Sequence, residues 1–216
     1  MLSYPLEAMI LRSGSLSADI SEACGKLGIP VIASGRILEA DGVDNVCCRN
    51  REGIAKGVEV LLAKGRRNFG FIGGPSTFAA SADRRAGVVG ALRTAGLTLM
   101  AEETGGFTVQ SGYDAALRLQ QLDRLDALVC ANDAMAIGAL SALREQGHLV
   151  PKDISVIGFD DIEMARWPSI QLTTLRNPID ALVEAVLDLL ERRAAHPAKD
   201  PEMIWLDAEV ILRATH

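Results

Sequence analysis

Short apolar segments alternate with longer amphipathic patterns along the chain. Short apolar runs predict strands, and apolar residues that recur every three or four positions predict helices. The predicted strands are 8–11, 30–33, 43–48, 69–72, 127–131, 154–159 and 204–212, and the predicted helices are 17–27, 52–64, 82–95, 112–122, 134–146 and 179–193. Because strands separated by helices form parallel sheets with right-handed crossovers, the pattern predicts an α/β fold.

Polar side chains follow two of these strands. Asp160 and Asp161 come directly after the strand 154–159, and Asn132 and Asp133 come after 127–131. Ligands of open α/β sheets bind outside the carboxyl ends of the strands, and a carboxylate or a carboxamide bonds two neighbouring hydroxyls at once. We therefore expect a pocket for a polyhydroxylated molecule. The alternative is helix capping by Asn and Asp, but a cap does not need two successive acids, which favours the pocket for Asp160.

The composition is that of a soluble globular protein. Of the 216 residues, 49% are hydrophobic, enough for the core of one large domain or two small ones. The net charge of −6 argues against a nucleic-acid surface, because phosphate binding needs clustered Lys and Arg. No segment has the length of a membrane span, and the first residues do not form a secretory signal.

The four cysteines are Cys24, Cys47, Cys48 and Cys130. They lack the paired C-x-x-C spacing of a zinc site, so we expect no metal. Buried reduced thiols are the interpretation we favour, and such thiols fit a cytoplasmic protein.

No pattern indicates catalysis or a cofactor. Gly73 and Gly74 follow a predicted strand, but the Gly-Lys-Ser/Thr of a phosphate-binding loop is missing, and there is no G-x-G-x-x-G. The histidines, His148, His196 and His216, lie where surface positions are expected, so that no Ser-His-Asp set stands out. We therefore predict a protein without a cofactor and without enzymatic activity.

Several motifs, in order along the chain, resemble those of the LacI/GalR family of bacterial transcriptional regulators. They are LLAKGRRNFGFIGG (61–74), RRAG (84–87), CANDAMAIGA (130–139), VPKDISVIGFDD (150–161), LTTLRNP (172–178) and LRAT (212–215). The closest likeness is to the effector-binding core of the family. The resemblance implies a two-lobed, periplasmic-binding-protein-like α/β fold with parallel sheets flanked by helices, three crossovers between the lobes, and the ligand in the cleft.

The resemblance also assigns roles to single residues. Arg84 matches the effector arginine of the family, whose planar fork bonds a pair of hydroxyls or a carboxylate. Asn132 and Asp160 match the polar anchors of the pocket, and Phe107 matches the aromatic residue that stacks on the apolar face of a sugar. Two alternatives stay open, a surface ion pair for Arg84 and a core position for Phe107.

Two positions depart from the family pattern, in which Asp is common where this chain has Gly35 and Arg49. With Arg36, these residues form the first-lobe side of the predicted pocket. The two arginines suggest a hypothesis in which the effector is acidic, a sugar acid or a sugar phosphate, instead of a neutral sugar.

Family members begin with a helix-turn-helix headpiece that reads operator DNA, followed by two strand-helix units. Neither precedes the first predicted strand, so we expect a truncated first lobe, 1–48 with 172–202, and a complete second lobe, 49–171 with 203–216. Operator DNA is then bound only through a headpiece that is absent from this chain. The resemblance also implies a homodimer, to which the apolar stripe of the helix 179–193 contributes unless that stripe faces the core.

Three functions compete. The leading prediction is the effector-sensing core of a cytoplasmic LacI-family regulator that binds a sugar or a sugar derivative. The alternative is a periplasmic-type sugar-binding protein for transport, which shares the fold but needs a signal peptide. An α/β enzyme is disfavoured because no nucleophile–base pair and no set of metal ligands is evident.

Overall fold

The computed structural model describes residues 6–12, 18–119 and 124–216 of the chain. Its strands are β1 (Met9–Arg12), β2 (Val31–Ser34), β3 (Val43–Cys48), β4 (Phe69–Gly73), β5 (Ala101–Thr104), β6 (Ala127–Cys130), β7 (Ser155–Ile157), β8 (Thr174–Arg176), β9 (Met203–Leu206) and β10 (Glu209–Ile211). Its α-helices are α1 (Ala18–Lys26), α2 (Asn50–Ala63), α3 (Ala79–Thr94), α4 (Val109–Arg118), α5 (Asp133–Glu145) and α6 (Ile179–Ala195). A short 3-10 helix, Glu163–Arg166, follows β7.

The chain divides into two compact units, each assembled from two separate segments. Unit 1 consists of Met1–Arg49 and Pro178–Leu206, and unit 2 consists of Asn50–Asn177 and Asp207–His216. The chain therefore crosses between the units at 49/50, 177/178 and 206/207.

Unit 1 is built on a parallel sheet with the strand order β1-β2-β3-β9. Side chains alternate along a strand, so the two faces of β2 enter different clusters. Val31 and Ala33 pack with Cys24 of α1, and Ile32 packs with Leu189 of α6. Burial on both faces explains why β2 is an apolar run instead of an alternating pattern.

A buried ion cluster joins β3 to the end of α6 in unit 1. The buried carboxylate of Asp44 accepts hydrogen bonds from Nη2 and Nε of Arg193, at 2.7 and 3.0 Å, and from Nζ of Lys199 at 3.0 Å. The backbone N–H of Glu202 donates to the same group at 2.8 Å. Burial by itself raises the pKa of Asp44, but these bonds outweigh it and hold the pKa below its ordinary value. The charged carboxylate therefore fixes the segment that leads into β9.

Unit 2 contains a second parallel sheet, with the order β5-β4-β6-β7, and an antiparallel pair formed by β8 and β10. The residues of β4, β6 and β7 are all buried. Helices pack in pairs, α2 against α3 and α4 against α5. The approach of α4 to α5 is so close that a Cβ at Gly138 would lie 1.9 Å from the carbonyl oxygen of Val109.

The predicted α/β fold with parallel sheets flanked by helices is confirmed, with differences at particular elements. Residues 204–212, predicted as one strand, form β9 and β10 in different sheets, because the chain crosses between the units at 206/207. The pattern missed β8 and β5, and β5 is a half-exposed edge strand with the polar sequence Ala-Glu-Glu-Thr.

The helix predicted at 112–122 begins earlier and ends earlier than expected. Thr108 caps α4, since its hydroxyl accepts from the N–H of Ser111, whose own hydroxyl accepts from the N–H of Thr108. This capping box starts the helix at Val109. The helix ends at Arg118, and residues 120–122 of the prediction lie outside the described residues.

Two segments and the single residue Arg49 lie in a different unit from the predicted lobe. The sequence assigns residues 172–177 to the first lobe, but β8 pairs with β10 in unit 2. It assigns residues 203–206 to the second lobe, but β9 pairs with β3 in unit 1. Apolar periodicity identifies a strand without identifying the neighbour to which the strand bonds, so these boundaries could not be placed from the pattern.

The four cysteines are buried and form no disulfide, in agreement with the prediction. Cys47 and Cys48 are neighbours on β3, whose residues are all buried, so both thiols are enclosed. Among the helices in the described part of the chain, none combines the length and the apolar composition needed to cross a membrane.

The contact between α4 and α5 predicts opposite effects for two glycine-to-alanine substitutions. We expect Gly138→Ala to lower the free energy of unfolding by about 1–3 kcal/mol, because the new Cβ overlaps the backbone of α4. Gly90→Ala in α3 is the matched control, since a Cβ there meets no atom within 4 Å. It should raise the free energy of unfolding by about 0.5–1 kcal/mol through helix propensity. Urea unfolding of both variants measures the difference, and equal effects would contradict the close helix contact.

Candidate functional site

The carboxyl edge of the sheet in unit 2 carries the polar groups that the sequence predicts for a ligand site. Phe107 follows β5, Asn132 follows β6 and Asp160 follows β7. Arg84 reaches the same edge from α3. Parallel strands bring these residues together because their carboxyl ends lie side by side.

Arg84 is a buried cation, only 6% exposed, and each nitrogen of its guanidinium group donates at least one hydrogen bond within the protein. Nε donates to Oδ1 of Asn50 at 2.9 Å, Nη1 donates to the carbonyl oxygen of Ala131 at 2.7 Å, and Nη2 donates to Oδ1 of Asp160 at 3.2 Å. The guanidinium carbon lies 3.7 Å from the centroid of the Phe159 ring, a cation–π contact. The alternative of a surface ion pair for Arg84 is therefore wrong.

Asp160 presents a carboxylate that is partly open to solvent. Its side chain is 30% exposed, and one oxygen accepts from Arg84. Burial raises the pKa of Asp160 above its ordinary value, and Arg84 and Asn177 oppose that rise by bonding the charged form. The backbone φ of 114° lies in a region that favours glycine, so this residue is held in place at a cost in strain.

Phe107 and Asn132 are joined through the backbone. The Phe107 ring is half-buried and packs edge-on against Phe78, with 5.5 Å between the ring centroids. It lies directly against Gly74, where a side chain would overlap it. A Cβ at Gly74 would lie 2.1 Å from that ring. Nδ2 of Asn132 donates to the carbonyl oxygen of Phe107 at 3.4 Å. The ring therefore has a fixed position at the edge of the sheet, and is not a fully buried core residue.

Asn132 also caps α5, as the alternative interpretation held. Its Oδ1 accepts from the backbone N–H of Met135 at 3.0 Å. The cap uses the oxygen, whereas the amide nitrogen faces Phe107. One side chain thus starts a helix and lies at the predicted site, so the two interpretations do not exclude each other.

Asp133 is a buried carboxylate behind the site. Its oxygens accept from the hydroxyl of Thr174 and from the backbone N–H of Ile162, the latter at 2.9 Å. Burial raises the pKa of Asp133 to about 7; these two bonds oppose the rise, and the neighbouring charges of Asp160 and Asp161 add to it. The buried carboxyl group of Asp133 therefore changes its protonation state near neutral pH.

The other three predicted residues lie in unit 1. Gly35 follows β2 with a φ of 77°, and its N–H donates to the carbonyl oxygen of Val46. Arg36 is exposed. Arg49 follows β3, with its guanidinium carbon 5.2 Å from the centroid of the Trp205 ring. All three are at carboxyl ends of strands in the unit-1 sheet, and their roles stay predictions.

Sequence reasoning did not assign Asn50 or Phe159 to the site, and it gave Asp133 no role beyond its place among the polar residues at the strand ends. Asn50 and Phe159 contact Arg84, and only the fold brings α2 and β7 to that side chain. Asp133 stood in the polar pair after β6, so a signal for it existed, but burial could not be predicted from a helix-start position.

Comparison with known proteins gives a consistent relationship. Residues 58–216 match the model of the periplasmic binding protein-like domain family. The probable HTH-type transcriptional repressor ExuR of Bacillus subtilis (strain 168) is 30% identical over 188 residues, which are 86% of this chain and 56% of that protein. The HTH-type transcriptional repressor PurR of Escherichia fergusonii is 36% identical over 179 residues, 81% of this chain and 52% of that protein. The chain therefore spans about half the length of the curated relatives it matches.

Solved structures agree with the sequence relatives. A complex of the transcriptional regulator CelR with cellobiose superimposes with a TM-score of 0.88 at 26% identity, over 97% of this chain and 66% of that one. A LacI transcriptional regulator from a Rhodococcus species gives a TM-score of 0.86 at 30% identity, over 97% and 77%. A LacI-family regulator from Enterococcus faecium with bound ribose gives 0.87 at 26%, over 97% and 79%.

The raised pKa of Asp133 predicts that stability changes with pH. Between its ordinary value of 3.8 and about 7, the folded state holds a proton that the unfolded state has released. The free energy of unfolding should therefore rise as the pH falls below about 7 towards 5, at up to about 1.4 kcal/mol per pH unit for one proton. In Asp133→Asn that rise should be largely removed, because the amide accepts from Ile162 and donates to Thr174 without titrating.

The measurement is urea unfolding of the parent and of Asp133→Asn at several values of pH. Glu59→Gln, which removes an exposed carboxylate from α2, is the control and should follow the parent. Equal pH dependence in all three proteins would contradict a buried titrating Asp133.

Proposed function

This chain belongs to the LacI family of transcriptional regulators through its periplasmic binding protein-like domain, and from that premise we propose that it senses a small sugar-like effector. The proposed ligand contacts are Arg84, Phe107, Asn132 and Asp160. The observation that carries the proposal is the pairing of Arg84 with Asp160 at the carboxyl edge of the sheet. It supplies a fixed donor and a partly open acceptor side by side.

The chemistry of a sugar fits these groups. A hydroxyl donates to the carboxylate of Asp160 while its own oxygen, or that of its neighbour, accepts from the Arg84 fork. The Phe107 ring offers an apolar surface to the C–H face of a sugar ring, which needs no polar partner. CelR is described with cellobiose and the E. faecium regulator with ribose, and ligands of this class support the same proposal for this chain.

We propose that effector binding regulates the affinity of the full-length protein for DNA. Because the curated relatives are transcriptional repressors about twice as long as the matched region, we propose that operator DNA is bound by a headpiece outside this sequence. Effector binding then shifts operator affinity, as two ligands do when they bias one two-state element. We also propose a homodimer. The transport alternative has no such support, since the named relatives are repressors.

The proposed site predicts a ligand-dependent thermal shift. D-ribose, cellobiose and related sugars, sugar acids and sugar phosphates should be screened against the parent, Asp160→Asn and Glu59→Gln. A ligand at a hundred times its dissociation constant adds roughly 2.7 kcal/mol, which raises Tm by several degrees. We expect the shift in the parent and in the exposed-surface control Glu59→Gln, and its loss in Asp160→Asn.

Two outcomes would count against the site. A shift that persists in Asp160→Asn places the ligand elsewhere. A cooperative melt of the parent that no compound moves removes the proposal that this chain senses a sugar.

The hypothesis of an acidic effector makes a separate prediction for Arg36 and Arg49. If both guanidinium groups select for charge, the parent binds D-glucuronate more tightly than D-glucose, and Arg36→Ala/Arg49→Ala reduces that preference about tenfold, the effect of roughly 1.4 kcal/mol. Titration calorimetry with both sugars measures the preference. An unchanged preference in the double variant removes the hypothesis and leaves a neutral sugar.

A further inference from the structure

The carboxylate of Asp161, the neighbour of Asp160, accepts hydrogen bonds from protein side chains. Its side chain is 1% exposed and accepts from Nε of Arg176 at 2.9 Å and from Nη2 of Arg213 at 2.5 Å. Burial by itself raises the pKa of Asp161, but the bonds from Arg213 and Arg176 outweigh it and hold the pKa below its ordinary value. Asp161 is therefore a charged anchor for two arginines, whereas Asp160 is open to a ligand.

Both arginines lie in the parts of unit 2 that adjoin crossings to unit 1. Arg176 is the last residue of β8, and the chain leaves unit 2 after Asn177. Arg213 follows β10, which begins at Glu209 shortly after the chain returns. The two strands pair with Arg176 opposite Glu209, and Nη1 of Arg176 donates to that glutamate at 3.1 Å. One buried carboxylate thus holds the outgoing and the returning connection together.

Asp160 is bonded to the same region. Its N–H donates to the carbonyl oxygen of Leu175 at 2.7 Å, and its own carbonyl oxygen accepts from the N–H of Asn177 at 3.5 Å. The crossing at 49/50 is linked to Asp160 as well, because Arg84 donates hydrogen bonds to both Asp160 and Asn50, the first residue of unit 2. Asn177 and Asn50, which adjoin two of the crossings, are thus linked to Asp160 directly or through Arg84, and Glu209, two residues beyond the third crossing, is linked to Asp161 through Arg176.

We propose that Asp161 is a positioning residue for effector binding, which couples the occupancy of Asp160 to the two connections held by Arg176 and Arg213. This inference rests on the proposed function, because it presumes that an effector binds at Asp160. The two residues are adjacent and have left-handed φ values of 114° and 56°, so they share one strained turn. In this proposal, a ligand that redirects the carboxylate of Asp160 shifts that turn, and with it Asp161 and both arginines. By linkage, a change that loosens these connections also lowers the affinity for the ligand.

The test compares the parent with Asp161→Asn by hydrogen–deuterium exchange, with and without D-ribose, cellobiose or D-glucuronate as probes. Exchange reports the opening of backbone hydrogen bonds segment by segment. In the parent we expect a bound probe to slow exchange in 174–177 and 207–213. In Asp161→Asn we expect that ligand-dependent slowing to be lost in both segments, and the dissociation constant of the probe to rise about tenfold.

The matched control is Glu102→Gln, which removes a carboxylate from an exposed arginine pair in the same unit, at Arg85. It should leave the affinity and the ligand-dependent slowing as in the parent. A merely structural role for Asp161 predicts faster exchange in both states with an unchanged difference between them, and that result overturns the inference while the proposed function stands. If Asp161→Asn does not fold, Arg213→Lys, which keeps the charge and loses the forked geometry, takes its place with the same expected loss. A parent in which no probe binds overturns the proposed function and this inference together.

Discussion

The buried charge of Arg84 is the constraint on which the rest of unit 2 depends. A guanidinium group withdrawn from water is costly unless hydrogen bonds and an opposite charge replace its hydration. Here the replacements come from the start of α2, the end of β6 and the end of β7, through Asn50, Ala131 and Asp160. These three segments must therefore stay in register with one another, because any displacement leaves a donor of a buried cation without its partner. The arginine acts as a fixed centre around which the edge of the sheet is arranged.

The carboxylates around that centre show how environment separates chemically identical groups. Asp160 and Asp133 both have raised pKa values because burial disfavours their charged form, whereas Asp161 has a lowered pKa because two arginines bond it. Three acids within one edge of a sheet thus serve as an open acceptor, a proton-exchanging group and a charged anchor. A residue type by itself would not have distinguished these roles.

Prediction from the sequence worked where the cause is local or strongly periodic. The strand at Val43–Cys48 has the same bounds in the prediction and in the structure, because a turn at Asp41-Gly42 precedes it and a helical pattern follows it directly. The polar residues after β6 and β7 were identified for a similar reason, since strand ends in parallel sheets lie together. Prediction failed where tertiary structure decides. The sequence of β9 does not indicate that its hydrogen-bonding partner is β3. The residues around Asn50 likewise do not indicate that Arg84 donates a hydrogen bond to it.

The discontinuity of both units has a consequence for synthesis on the ribosome. Unit 1 lacks its helix α6 until Ala195 has emerged and its strand β9 until Leu206 has emerged, and unit 2 lacks β10 until Ile211 has emerged. Domains encoded by one continuous segment can fold as soon as they leave the exit tunnel. Neither unit of this chain is encoded by one continuous segment. When residue 177 has been synthesised, β8 still lacks its partner strand β10. Neither sheet system is complete before Leu206 has been synthesised, and a loss of residues 207–216 removes part of unit 2 while leaving every residue of unit 1 in place.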